Sequence, residues 1–460
     1  MALVAFGIHL GMRALTDNSF FTHLATGRLI LDSGSVPSQD PYSFTAHGDP
    51  WTVQSWGASV LYAAGESVGG LGLVRLLITA LIAGLVMLVW RLTAPAESLV
   101  ARLALSAFVL TIGSVFWNER PLLFGLVGLA LVLLASEDGL DPRWLVPVMW
   151  LWVNSHGSFP FAVLVLGLLA IGRRLDGESP SVELRAAKWC IVGILLAMVN
   201  PIGPRLLLFP ATLLEKKETF ALIVEWRAPT WTSWDQQLFA VQVLLAVVIV
   251  VWRSRSWRAV LPLVVFGALA ATSLRNIPPA SLVVVPAMAT GLAGLGSIDG
   301  RERTPVARLG TVAMGALCLI LLIGGLLQPH TDLRGYPVEE AAWMRDNDLL
   351  DLESRVLTRD TVGNFFEARY GPDVVRVFID DRVDMYPPAL VADYAELVNE
   401  RSDDIYADIS RKYEPTAVLW QSDTPFGEWI ESSPRWNVVH EGEDWLVAIP
   451  TKSPNDPDGP

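Results

Sequence analysis

Charge is scarce in this 460-residue chain: Asp, Glu, Lys and Arg together make up 18% of it, against 52% hydrophobic residues, and mean hydropathy is +0.42. Such a balance excludes one soluble core for the first 330 residues. Cysteine is almost missing too. Cys190 and Cys318 each sit inside an apolar run without a ligand partner nearby, which argues against a disulfide framework and a zinc site. No phosphate-cradling GxxxxGK loop occurs, and the GGLG run at Gly69 to Gly72 is too short and opens an apolar segment, so a bound nucleotide is not expected. There is no internal repeat and no pair of broken helices in matching halves, and the apolar segments are nearly free of mid-span charge, which argues against a transporter. No nucleic-acid partner is expected.

What remains describes an α-helical polytopic membrane protein. About 20 apolar residues cross the hydrocarbon, fewer where a helix is partly buried in protein. Spans are expected near 1–14, 68–90, 99–117, 121–136, 144–155, 158–172, 187–203, 236–252, 257–273, 277–296 and 308–327, about eleven in all. The first lacks the small-residue cleavage site of a signal peptide. Arginines gather at Arg91 and Arg102, at Arg143, at Arg173, Arg174 and Arg185, at Arg253, Arg255 and Arg258, and at Arg301, Arg303 and Arg308. The positive-inside rule makes these loops cytoplasmic. With an odd number of spans, the N-terminus is then cytoplasmic, while the Arg13 to Trp56 loop and everything after Leu327 are extracytoplasmic. The expected location is the cytoplasmic membrane, with membrane lipid as the surrounding partner.

The polar Arg13 to Trp56 loop carries Asp17, His23, Arg28, Asp40 and His47. Phe20, Leu24 and Leu31 recur at near-helical spacing, and Gly34 followed by Pro37 ends the run, so Asn18 to Asp32 is expected to form a helix lying against the membrane. Asp17 then has two readings: an N-cap whose carboxylate accepts from the first turn, or a reactive acid. Asp40, in SQDPYS, reads equally as a turn opener before proline. Five short outward stretches follow, at Trp117 to Pro121, Val153 to Phe159, Val199 to Arg205, Val224 to Trp231 and Leu274 to Pro279. Arg120 and Arg275 lie at the ends of apolar runs, where an ionisable group is costly and so a functional candidate. Snorkelling to headgroups beside a tryptophan belt is the alternative. Between Pro204 and Gln237 a mixed apolar and charged run suits an interfacial helix, and Glu225 there is either a second acid or simply solvated.

Acidic residues concentrate in the last third, in DNDLLDLE, IDDRVD and NERSDD, which read as solvated faces. GYPVEEAAWMRDN and ALVADYAELVNE have helical patterns, while RVLT, VRVFID, TAVLW and WLVAIP read as buried strands. The organisation expected is a transmembrane domain over 1–328 with the outward loop 13–56, a soluble α/β domain over 329–450 and a disordered tail over 451–460. Asp380, Asp381 and Asp384 at a strand end suit a cation or an acceptor sugar, or a turn in which Arg382 pairs with them.

The order Asp17, His23, Gly27, Gly34, Pro37, Asp40, Ser43, followed by Trp51 and Trp56, resembles a pattern of bacterial polytopic proteins in the GT-C glycosyltransferase superfamily. ERP at Glu119 to Pro121, NSHG at Asn154 to Gly157, NP-x-G from Asn200, EW at Glu225 and Trp226, R-N-x-P from Arg275 and VFIDDRVDMY at Val377 to Tyr386 are further points of likeness along nearly the full length. The chain departs from the pattern at Gln54-Ser55-Trp56, where a glutamate before the tryptophan is expected, and in keeping Gly363 alone of the glycine pairs expected in the soluble domain.

The resemblance implies a GT-C-like fold and a transferase that takes a hexosyl or pentosyl group from a polyprenyl-phosphate sugar and passes it, with inversion, to an envelope glycan, lipid or protein. An outward acidic loop fits a lipid-borne donor, since nucleotide sugars are cytosolic. Asp17 would be the general base, and His23 or Asp40 would position the acceptor or keep the acid ionised. Arg120 and Arg275 would neutralise the leaving phosphate. His156 either joins them or caps a helix. Trp56, Glu225 and Asp381 are accessory or acceptor-side candidates. No cofactor is expected; a divalent metal bridging Asp17 and Asp40 is the lesser alternative. The competing reading is a non-catalytic protein of this fold that binds a lipid carrier or scaffolds envelope assembly.

Overall fold

A computed structural model describes residues 1–220, 223–294 and 305–451, so all but the first residue of the tail expected at 451–460, and the arginines at 301 and 303, lie outside the described residues. Contacts divide the chain into two compact units. The first comprises 1–15, 54–215 and 223–331, and the second 16–53, 216–222 and 332–460.

The first unit is helical. Among the described residues four helices are long and apolar enough to cross a membrane: Trp56–Ala96, Leu99–Phe116, Trp234–Ser254 and Leu309–Leu326. The expectation of about eleven spans is not supported. Ala2–Gly11, Leu122–Ser136 and Trp257–Thr272 are apolar but short. The run expected at 144–155 forms only Leu145–Ser155, and the run at 277–296 breaks into Ile277–Val283 and Val285–Gly291, with a proline opening each piece. An orientation argued from an odd number of spans loses that support. The long helix is itself kinked where GGLG begins: Gly70 has φ 64°, a conformation that a Cβ would strain.

Helix Ala2–Gly11 packs against the long helix so closely that a Cβ on Gly11 would stand 2.5 Å from the Thr79 backbone. The charge buried at this crossing was not anticipated. Arg75, fully buried, donates through Nη1 to the carbonyls of Gln328 (3.3 Å) and Pro329 (3.2 Å), lies 3.0 Å from His330 Nδ1, and donates through Nη2 to the carbonyl of Met12. Those carbonyls follow the last turns of Ala2–Gly11 and Pro305–Leu326, where intrahelical partners run out. At the ends of other helices, Glu183, also fully buried, accepts from Arg173 Nε at 2.7 Å and Arg258 Nε at 2.9 Å, and Arg258 reaches Glu137 at 2.9 Å. Arg173 and Arg258, from two of the cation-rich loops, are thus paired within the unit.

In the second unit a five-stranded sheet has the order β2-β1-β3-β5-β4, from β1 (Arg355–Leu357), β2 (Arg376–Val377), β3 (Ala417–Gln421), β4 (Trp436–Glu441) and β5 (Trp445–Pro450). Strand β1 runs parallel to both β2 and β3, and the β4–β5 hairpin adds antiparallel edges. The expected helices appear as Val338–Asp346 and Pro388–Asn399. β4 was not foreseen, because its residues are mostly half-exposed and carry no apolar run.

Residues 16–53, expected as a membrane-side loop, group with this unit instead. Helix Asn18–Ser33 lies on helix Asp360–Tyr370: Phe21 meets Phe365 edge-on at 6.2 Å, Thr22 Oγ donates to Asn364 Oδ1 at 2.8 Å, and Arg28 donates to the Ala368 carbonyl. Further along, Val377 donates to the Tyr42 carbonyl (2.9 Å) and Phe44 to the Val377 carbonyl (3.0 Å), so the loop borders β2 as an extra edge. The physical reason is burial: Phe20, Phe21, Leu24 and Ala25 share one helical face and find apolar partners within this unit.

Replacing Arg75 removes the donor to the buried Met12 carbonyl and to the part-buried carbonyls of Gln328 and Pro329; a buried acceptor left unmade costs on the order of 1–3 kcal/mol. Arg75→Leu should therefore lower unfolding free energy in detergent by about 3 kcal/mol; a thermal-unfolding midpoint equal to that of the parent protein would show the clasp to be dispensable.

Candidate functional site

Asp17 is an N-cap. With extended φ −76° and ψ 126°, its carboxylate accepts from Ser19 N at 3.0 Å, and the helix closes on Gly34 in the left-handed region at φ 68°. His23 is half-buried on the same helix. Six positions at about 100° each set it roughly 120° round the helix from Asp17 and about 9 Å along it, so the helix alone does not present the two side by side. Asn364 ties this helix to another candidate: its Oδ1 accepts from Thr22 and also from the backbone N of Asp381, at 3.1 Å. The structure therefore brings the helix of Asp17 and His23 next to the Asp381 turn.

Asp40 has a setting different from the one expected. It is 1% exposed, and its oxygens accept from Tyr42 N (3.1 Å), Ser43 N (3.0 Å) and the Ser43 hydroxyl. Arg382 Nη2 stands 2.7 Å from its Oδ1. An acceptor hydroxyl or a bridging cation would have to displace a guanidinium. Here the turn-opener reading and a buried ion pair explain the residue together.

Arg382 is the centre of this cluster. Its Nε donates to Asp380 Oδ1 at 2.8 Å and its Nη2 to Asp380 Oδ2 at 2.5 Å, a two-pronged pairing, while its plane lies over Trp51 at 4.4 Å and Tyr42 at 4.8 Å. Tyr386 donates its hydroxyl to Asp380 at 2.6 Å. Glu367, 3% exposed, completes the group 3.7 Å from Arg382. Burial, and then the charge of Asp380, push the Glu367 carboxyl well above the usual carboxylate range. Burial works against ionising Asp380 as well, but Arg382 outweighs it and holds Asp380 below that range. Asp380 is therefore ionised against the guanidinium, and Glu367 stays protonated beside it. Burial also pushes Asp384 up to about 6; the Lys216 ammonium donates to its backbone carbonyl. Among the described residues no group of three or more His, Cys, Asp or Glu side chains is placed to hold a metal ion.

In the helical unit three candidates come together. Arg120, at the start of Leu122–Ser136, pairs with Glu225, and Trp226 lies under the guanidinium of Arg275 at 4.7 Å. Two bonds join the turns that carry them: Ser273 Oγ donates to the Glu225 carbonyl at 3.1 Å and Leu274 N to the Arg227 carbonyl at 3.0 Å. Trp56 forms a second group with the NSHG turn, donating from Nε1 to Asn154 Oδ1 at 2.9 Å and meeting Trp150 edge-on at 6.3 Å. His156 follows the last turn of Leu145–Ser155. Its Nδ1 accepts from Ser158 N at 3.3 Å and lies 2.8 Å from the Ser158 hydroxyl, which also receives Trp152 Nε1 at 3.1 Å. That is the geometry of a helix-ending turn, and an Nδ1 used as acceptor places the proton of a neutral imidazole on Nε2.

Sequence reasoning missed Arg382 as the partner of Asp40, and missed Glu367, Asn364 and Arg75 altogether. A signal existed for the first alone: two acid-bearing strings, SQDPYS and VFIDDRVDMY, of which only the second supplies a cation.

No family model matches the chain, and no curated protein does. Solved structures do. The oligosaccharyltransferase of Archaeoglobus fulgidus in its apo form has TM-score 0.56 at 11% identity, covering 91% of this chain and 69% of that one. The same enzyme tethered by a disulfide bond to an acceptor peptide containing the NVT sequon gives 0.54 at 12% identity, over 91% and 68%. The archaeal oligosaccharyltransferase AglB from A. fulgidus, in complex with an inhibitory peptide and a dolichol-phosphate, gives 0.55 at 10% identity, over 94% and 71%. Identities this low show the fold alone. The chain shares the fold of these oligosaccharyltransferase structures over 91% or more of its length; the narrower bacterial branch expected from the sequence has no counterpart in these likenesses.

Two measurements probe the soluble unit. Arg382→Leu leaves Asp40 and Asp380 buried and uncompensated, a loss on the order of 3–5 kcal/mol. Arg382→Lys should recover only part of it, because an ammonium cannot make the fork or the stacking; full recovery in denaturant unfolding would refute that geometry. For Asp384, the folded carboxyl titrates near 6 and the unfolded one near 3.8, so the native state holds the extra proton. Its contribution is complete below 3.8 and is lost as pH rises through 6. The stability of the wild type minus that of Asp384→Asn should fall across this window and stay flat above it.

Proposed function

We propose that this chain is a membrane glycosyltransferase that moves a sugar from a polyprenyl-phosphate carrier to an acceptor on the extracytoplasmic side. The observation that carries the reading is the likeness to an oligosaccharyltransferase over 91% of the chain. That enzyme is recorded with an acceptor peptide and with a dolichol-phosphate, which supports a lipid-linked phosphate on one side of the reaction and a peptide, glycan or lipid hydroxyl or amide on the other.

In this reading Asp17 takes the proton of the acceptor as its oxygen or nitrogen attacks the anomeric carbon. The bond from that carbon to the carrier phosphate breaks on the opposite face, so configuration inverts and the phosphate leaves with its electron pair. His23 and Asp381 would serve the acceptor side; the bonds of Asn364 to Thr22 and to the Asp381 backbone, which bring their elements together, support this. Arg120 and Arg275, with His156, would take up the charge of the leaving phosphate, since guanidinium groups bind two oxygens at once. Trp56 belongs to the same unit as these and would line the sugar path.

A non-catalytic carrier-binding protein is the second reading. It is favoured by the capping role of Asp17 and by Gln54 and Ser55 standing where a glutamate is expected.

Asp17 separates the two readings because asparagine caps a helix about as well as aspartate, whereas alanine does not. Asp17→Asn should leave stability and carrier binding unchanged and cut sugar transfer by about 10²–10⁴-fold, the usual worth of a general base. Asp17→Ala should lose about 1 kcal/mol as well. Assays would use the purified protein in nanodiscs with a panel of polyprenyl-phosphate sugars. No transfer from any of them, with Asp17→Ala merely less stable, would favour the second reading.

A further inference from the structure

Glu225 was considered above as an acid or as a solvated side chain; it is 41% exposed and paired with Arg120. It lies on the short Val224–Trp226 turn, paired with Arg120, and the backbone on either side of it is strapped to the Ser273–Asn276 turn by the Ser273 and Leu274 bonds. The next residue, Trp226, occupies the face of Arg275. One turn thus engages both arginines assigned to the phosphate. A carboxylate has the charge and the two-oxygen geometry that a guanidinium recognises in a phosphate. The pair is also only partly buried, with side-chain exposures of 27% for Arg120 and 41% for Glu225. Solvent screening keeps such a pair exchangeable, unlike the fully buried Arg382 cluster.

We propose that Glu225 is an internal stand-in for the carrier phosphate: it holds Arg120 in the resting protein and is displaced when a lipid-linked phosphate binds, so that the Val224–Trp226 turn sets donor affinity by competition. This inference rests on the reading of Arg120 as a phosphate-binding residue. Two consequences follow from competition by mass action. Removing the carboxylate should strengthen phosphate binding, and displacing the turn should alter the environment of Trp226.

The test uses the full-length protein in nanodiscs of a zwitterionic phospholipid, titrated with a polyprenyl monophosphate and, as controls, with the matching uncharged prenol and with phosphatidic acid. Binding is read by native mass spectrometry and by tryptophan fluorescence in parent, Glu225→Gln, Arg120→Gln and Trp226→Phe proteins. Glu225→Gln should bind the polyprenyl phosphate about 5- to 10-fold more tightly, as loss of a partly screened ion pair allows, with the prenol unaffected. Trp226→Phe should lose most of the fluorescence change that accompanies binding. Equal or weaker binding by Glu225→Gln, while Arg120→Gln still weakens it, would overturn the stand-in role and leave the phosphate site in place. Unchanged binding in Arg120→Gln would overturn the phosphate site itself, and tightening toward phosphatidic acid as strong as that toward the polyprenyl phosphate would overturn the carrier as the displacing ligand.

Discussion

The second unit depends on a guanidinium that has no water to rely on. Arg382 is 6% exposed, and two carboxylates, two aromatic faces and a protonated glutamate converge on it from the SQDPYS loop, from the Asp360–Tyr370 helix and from the end of β2. Burying a lone charge costs several kcal/mol, which the protein recovers only because the fork of Arg382 is matched on each side. The arrangement demands that three distant pieces of chain be present together. Asp40, Asp380 and Glu367 would otherwise repel one another, and the protonation of Glu367 is the means by which three acids share one cation.

The helical unit meets the same physical problem with different means. Helix ends leave carbonyls without partners, and an apolar surrounding leaves them no solvent. Arg75 answers this at one crossing by donating to the carbonyls of Met12, Gln328 and Pro329. At other helix ends Asp176 accepts from Trp257 N (2.7 Å) and Arg258 N (3.1 Å), and Glu183 pairs with Arg173 and Arg258. Buried charge in this protein is therefore mostly structural. Against that background the partly exposed Arg120–Glu225 pair differs from the pairs at Glu183: neither of its members is fully buried, and Glu225 lies on a short turn between helices.

Local signals in the sequence were legible where local physics decides. Asp17 and Gly34 bracket a helix because a carboxylate satisfies free amides at one end and a left-handed glycine satisfies carbonyls at the other, and the structure runs from Asn18 to Ser33. Four of five strands showed as apolar runs; β4 did not, since an edge strand with half-exposed residues has no such run. Span counting failed for a related reason. Apolar composition reports burial, and burial inside protein is indistinguishable in composition from burial in lipid, so short core helices such as Leu145–Ser155 and the proline-split Ile277–Gly291 region counted as crossings. The Asp40–Arg382 pair left only a faint signal, two acid-bearing strings with one cation between them, because its members stand far apart in the chain and each has a sufficient local explanation.

That pairing changes what a domain means here. A boundary at 328 looks natural from composition, since polarity rises sharply there. Yet the compact unit takes 16–53 and 216–222 along with the last third. A fragment starting at 329 would keep Arg382 and Asp380 but lose Asp40, Tyr42 and Trp51, and so lose one of two counter-charges and both stacking faces. It would also uncover the side of the Asp360–Tyr370 helix that Phe21 and Thr22 cover, and leave Asn364 with a single hydrogen bond at its oxygen. The catalytic candidates Asp17 and His23 sit on a helix whose position is set by residues more than three-quarters of the way along the chain. Their geometry is thus a property of the soluble unit's folding, and a change in VFIDDRVDMY reaches them through packing before it reaches any substrate.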